Sequence, residues 1–117
     1  MKNFISSFNF NLLSSLVFRY KLVLRIIKII LSRIFLRIFS IGLNVPKWHL
    51  NATYEARGYK NEVIKICNSY QTNYVIEIGC GIGEIISRLN SPFKYGLDAN
   101  RDTLILCKRL NKNIKTF

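Results

Sequence analysis

From Arg19 to Arg37 the chain alternates blocks of aliphatic residues with single cations: Arg19, Lys21, Arg25, Lys28, Arg33 and Arg37. At 100° per residue Val23, Leu24, Ile27, Ile30, Leu31, Ile34, Ile38 and Ile41 share one face, and the charges collect on the opposite side. The pattern predicts a basic amphipathic helix. Gly42 to Pro46 breaks it and marks a boundary, dividing the chain into a helical arm over residues 1 to 45 and a domain over residues 46 to 117. Tyr59, Val63, Ile66, Cys67 and Tyr70 then recur at helical spacing, which predicts a helix from about Glu55 to Ser69 with one buried face. Ser69 to Asn73 is a polar connection.

Beyond it, the β-rich run Val75, Ile76 and Ile78 flows into three alternate glycines, Gly79, Gly81 and Gly83. Ile85, Ile86 and Leu89 follow with helical spacing, so the segment reads as strand, tight turn and helix. Asn90 to Pro92 stops that helix, and Lys94 to Asp98 forms a second short strand. Asn100 is placed to cap a last helix, with Asp102 in its first turn, Lys108 and Arg109 near its end, and Leu106, Cys107 and Leu110 on its inner face. Lys112 to Phe117 carries no usable pattern.

A strand, a glycine turn, a helix and a second strand ending in an acid form a βαβ unit that would hold a nucleoside-containing cofactor. Bare glycines let the turn reverse and let a ligand approach the backbone. The spacing separates cofactor classes. A dinucleotide fingerprint is GxGxxG, whereas here the third glycine comes one position early and Glu84 stands in its place. An acid facing a pyrophosphate at a helix start is unfavourable. Glu77, two residues before the first glycine, completes ExGxGxG instead.

This run resembles motif I of the class I S-adenosylmethionine-dependent methyltransferases, with Asp98 at the position of their second, acidic motif. The resemblance implies that Gly79, Cys80 and Gly81 lie against the methionine part of S-adenosyl-L-methionine, with Gly83 also among the cofactor-binding residues. It implies that Glu77 supports the ammonium group, that Asp98 accepts the ribose hydroxyls, and that Ala99 and Asn100 lie beside the adenine. Cys80 needs only its backbone there, and Asp98 has a plainer alternative as a cap at the strand exit. The implied architecture is α/β: the N-terminal portion of a Rossmann-like methyltransferase fold, with two parallel strands and helices, preceded by the basic arm. The family builds seven strands from roughly twice this length. The resemblance therefore implies a truncated methyltransferase that lacks its substrate-binding half, is inactive alone, and is completed by a missing C-terminal half or a partner chain. The acceptor and any catalytic base stay unnamed.

Lys47 to Lys60 bears a weaker resemblance to the segment before motif I in methyltransferases encoded with surface-polysaccharide genes, where a Trp-His pair precedes a Tyr-containing helix. That suggests a sugar or glycan acceptor, with Trp48 and Tyr54 closing over the cofactor. Packing of these aromatics is the plainer reading, and His49 is more often a satisfied or capping histidine than a base.

Composition narrows the remaining classes. Three cysteines among 117 residues, Cys67, Cys80 and Cys107, have no CxxC spacing, and His49 is the single histidine. Neither a disulfide framework nor a metal site is suggested, and a reducing, cytoplasmic setting fits. The net charge is +12; residues 1 to 54 hold eight cations and no acid, and the rest ten cations against six acids. The arm carries the basic bias. Residues 3 to 18 are too polar for a membrane span. Between Arg19 and Arg37, three interior cations cost roughly 7 to 10 kcal/mol at the bilayer centre against a return of about 4 to 7. Lying on an anionic membrane surface uses both faces at none of that cost. A helix packed on protein and a transit peptide are the alternatives. A membrane-surface module built on the arm and a dinucleotide-dependent oxidoreductase are the competing functions. Nucleic-acid binding is disfavoured, because the cations alternate with large aliphatics.

Overall fold

The computed structural model describes residues 2 to 117, with side chains from Leu13 onward. Helix α1 spans Lys2–Phe39, so it begins well before the Arg19 suggested by charge periodicity. The expected polarity of Asn3 to Asn11 concerns side chains outside the described ones. A short helix α2 (Lys47–Asn51) and a 3-10 turn (Tyr54–Ala56) lead to α3 (Tyr59–Ser69). Strand β1 (Tyr74–Ile78), a second 3-10 turn (Ile86–Arg88), β2 (Phe93–Leu97), α4 (Arg101–Leu110) and β3 (Ile114–Thr116) complete the chain. The strands form one parallel sheet in the order β1-β2-β3.

The architecture is mixed α/β with a three-stranded parallel sheet, compatible with part of a Rossmann-like fold. The β1 and β2 expectations hold to within a residue at each end. The tail does not lack structure: Ile114 is buried and its strand pairs beside β2. Three residues are too few to display a period of two.

The helix expected after the glycines is replaced by one 3-10 turn. Side chains take the backbone groups that a helix would pair internally. Glu77 accepts from the Ile86 amide at 3.2 Å, Lys94 donates to the Ser87 carbonyl at 3.0 Å, and Arg88 donates to the Glu84 carbonyl at 2.6 Å. Ile86 and Leu89 are nevertheless buried as their spacing foretold.

Helix α3 starts at Tyr59 instead of Glu55 and is turned from its expected orientation. Tyr59, Ile66 and Tyr70 are exposed, Val63 and Cys67 are half-buried, and Lys60 is the residue that is fully covered. Polar contacts set this rotation. Lys60 pairs with Glu84, and Asn68 accepts from the Asn90 amide at 2.8 Å while reaching the Arg88 carbonyl at 3.5 Å.

Two clusters form the core. Leu36 and Val45 pack with Ile82 and Leu106, supported by Phe39, Leu43, Leu50 and Leu110. Ile86, Cys107 and Ile114 pack with Val75 beneath the sheet. The end of α1 thus shares a core with the glycine turn and α4. Arg109 donates to the Phe39 and Ile41 carbonyls at 2.9 and 3.2 Å, a cation on the carbonyls that a helix C-terminus leaves unpaired.

The opposite sheet face is bare. Tyr74, Ile76, Ile78, Phe93 and Leu97 all point away from the core and are exposed. Parallel sheets are ordinarily covered on both faces. The chain exposes 8762 Å², where a compact chain of 13.7 kDa is expected to expose about 6,600 Å². Bare apolar sheet and the projecting α1 account for the surplus.

Candidate cofactor site

The end of β1 is tied to the end of β2, because the Gly79 and Cys80 amides both donate to the Leu97 carbonyl, at 2.8 and 2.9 Å. From there the chain must reverse at once, and Gly79, Gly81 and Gly83 take φ of 73°, 54° and 79°. Such angles belong to glycine. Above Gly79 lies open space, with no atom within 4 Å of where a Cβ would stand. That is the close backbone approach a ligand would use.

Two carboxylates, Glu77 and Asp98, lie near this turn. Asp98 accepts from the Gly81 amide through Oδ2 and from the Asn100 amide through Oδ1, each at 2.9 Å. The role of strand-exit cap and the position beside the turn therefore coincide in one residue. Each carboxylate oxygen keeps a second lone pair for another donor. Glu77 lines the hollow beside Gly79 and Gly81, together with Trp48, Lys60, Glu84 and Ile85. Burial pushes its carboxyl above the ordinary value, and Glu84 adds to this, while the Ile86 amide and Lys60 oppose it.

Ala99 is exposed next to Asp98, and the Asn100 side chain caps α4 by accepting from the Thr103 amide at 2.8 Å and its hydroxyl at 3.0 Å. Cys80 is buried against Gly96, and desolvation drives its thiol up to about 12. A thiol so raised is protonated at neutral pH, which argues against a nucleophilic role. Gly83 serves packing: its bare Cα admits Cys107, Asn111 and Ile114.

Four further residues complete the site. His49 is buried with its ring on Gly81, where a Cβ would come 2.5 Å from Cε1. Burial holds this imidazole below its ordinary value, with Lys60 and Arg57 assisting and Asp98 opposing. Trp48 stacks on it, ring centroids 3.5 Å apart. The Trp-His pair was the visible signal, though it did not reveal that the histidine lies on the turn. Lys60 and Glu84 form a largely buried ion pair at the rim. Glu84, the acid that argued against a pyrophosphate, is thereby neutralised from a helix 24 residues earlier, a pairing no local pattern announces. Tyr54 does not join this hollow. Its ring lies under the Arg88 guanidinium, 3.8 Å away, and its hydroxyl bonds Asn61.

The Glu77 carboxylate is held at some expense to the fold. Its folded-state value lies above the 4.5 of the free group, so the folded chain binds the proton more tightly than the unfolded one. Stability then falls as pH rises from about 4.5 through the raised value, and stays lower above it. Glu77→Gln keeps an acceptor for the Ile86 amide and removes the charge. Thermal melts are expected to place the variant a few degrees above the parent chain at pH 7, with the two converging near pH 4; identical melts at both values would contradict a burial-raised carboxyl.

Comparison of the chain with protein-family models, with curated proteins and with solved structures finds no match.

Proposed function

We propose that the chain is the cofactor-binding part of an S-adenosylmethionine-dependent methyltransferase. The observation that carries this reading is the pair of carboxylates, Glu77 lining the hollow and Asp98 bonded to the Gly81 amide, at a left-handed glycine turn whose backbone is open at Gly79. A ligand with a sulfonium and an ammonium favours acids at such a turn, whereas a pyrophosphate favours amides and cations. The donor set fits the former: Glu77 would balance the ammonium, Asp98 would accept ribose hydroxyls, and Gly79 would admit the ligand's chain. The hollow spans about 120 Å³, short of the roughly 300 Å³ at which small-molecule pockets begin. Admitting the cofactor therefore requires the His49 ring, with Trp48 stacked on it, to swing off Gly81. When bound, the cofactor supplies an electrophilic methyl group, and the protein's contribution to transfer is alignment of that methyl with an acceptor. The bare sheet face and the unpaired edge of β1 support a further element of the proposal: transfer requires additional polypeptide that continues the sheet and carries the acceptor site.

Trp48 is the single tryptophan and stacks on the ring that must move, so its emission reports binding directly. Titration with S-adenosylhomocysteine is expected to give a saturable change in Trp48 emission, and NAD none. Asp98→Asn, which keeps an acceptor for the Gly81 amide, should weaken binding by roughly tenfold or more, the worth of a hydrogen bond to a charged group. Saturable binding of NAD without S-adenosylhomocysteine would replace this reading with a dinucleotide one, and equal affinity in Asp98→Asn would remove Asp98 from the site.

A further inference from the structure

Packing settles which side of α1 meets the rest of the protein. Leu36 is buried and Ile29, Ser32 and Phe39 are half-buried, and at 100° per residue these positions lie together on one side. Arg25 and Arg33 reinforce the contact, donating to the Glu55 carbonyl at 3.4 Å and the Asn51 carbonyl at 2.9 Å. The aliphatic stripe of Val23, Ile27, Ile30, Ile34 and Ile38 lies about 180° away round the helix, and all five are exposed. The face that amphipathicity marks for burial is therefore the face the domain leaves alone.

We infer that this stripe is the docking surface for an anionic lipid bilayer, with the domain held on its water side. Charge selects the occupant. The arm carries seven cations and no acid over residues 1 to 45, so two stripes from two copies would bring like charges together, whereas anionic headgroups complement them. Arg19 and Arg37 flank the stripe on one side and Lys28 on the other, where long side chains reach headgroups while the aliphatics enter the acyl boundary. Among the described residues no helix is long and apolar enough to cross a membrane, which leaves α1 lying in the surface plane. None of this depends on the cofactor reading.

The test is cosedimentation of the full chain with vesicles of phosphatidylcholine alone and of phosphatidylcholine with about a third phosphatidylglycerol. Binding is expected on the anionic vesicles and at least tenfold weaker on the neutral ones, and raised salt should release it. The triple variant Ile27→Glu, Ile30→Glu, Ile34→Glu should lose binding while keeping the parent's thermal transition, because the stripe makes no contribution to the core. Changing Arg19, Lys28 and Arg37 together to Gln should weaken anionic binding roughly a hundredfold, at about fivefold per cation. Equal binding to both vesicle types, undiminished binding by the stripe variant, or a stripe-dependent homodimer in sedimentation velocity without vesicle binding would each overturn the inference. Should the stripe variant fail to fold, the parent chain's preference between the two vesicle types still decides.

Discussion

Gly83→Val is expected to lower the stability of the fold by about 4 kcal/mol. Two effects add at this position. Its φ of 79° is one that a β-branched residue adopts only under strain, worth about 1 to 3 kcal/mol. A Cβ there would also stand 2.8 Å from the Cys107 sulfur, 3.0 Å from Asn111 Nδ2 and 3.1 Å from Ile114 Cδ1. None of these neighbours is free to retreat. Cys107 is fully buried, Ile114 anchors strand β3 in the core, and the Asn111 amide is committed to the Ile82 and Cys107 carbonyls at 3.0 and 3.1 Å. Overpacking of this kind costs about 1 to 3 kcal/mol more. A total near 4 kcal/mol is a large share of a domain reserve of about 5 to 15 kcal/mol. Gly79→Ala is the control: it shares a positive φ but meets open space, so it should fold with a loss of about 1 kcal/mol. Urea titration followed by near-ultraviolet dichroism separates the two, and a midpoint for Gly83→Val equal to the parent's would refute the packing role assigned to this glycine.

Lys60→Met is expected to lower stability by about 3 kcal/mol, the effect of breaking a buried pair from one side. The Lys60 and Glu84 side chains are only 7% and 17% exposed, so water cannot compensate the stranded acid. The same ammonium also opposes the burial-driven rise of the Glu77 carboxyl, and its removal leaves two acids together beside the glycine turn. The double variant Lys60→Met, Glu84→Leu should recover much of the loss, since a buried pair is often replaceable by apolar groups of similar volume. A double-mutant cycle in urea measures the coupling. Additive losses, with no recovery in the double variant, would show that the pair contributes nothing beyond two separate side chains.

The same pair explains where reading along the chain stops. Strand β1, the glycine turn, β2 and the Asn100 cap of α4 are all written in stretches of a few residues. They depend on period, on a required positive φ, and on a side chain bonding an amide three positions on, and each of these is a short-range property. Asp98 was visible for the same reason, since it lies at the end of a strand that follows a glycine turn. Its bonds to Gly81 and Asn100, and the His49 ring resting on Gly81, belong to the folded chain.

Amphipathic period likewise established that α1 has an aliphatic side and a basic side, and that α3 has one apolar edge. It did not determine which side of either helix faces the protein. Lys60, Asn68, Arg25 and Arg33 decided that by reaching acids and carbonyls on distant segments. A hydrophobic period records a helix's preference for leaving water and is blind to the polar contacts that choose its neighbour. Only tertiary packing could turn the α1 stripe outward, rotate α3 by its lysine, unwind the expected helix after Gly83 into a single turn, and give the featureless Ile114–Thr116 a partner in β2.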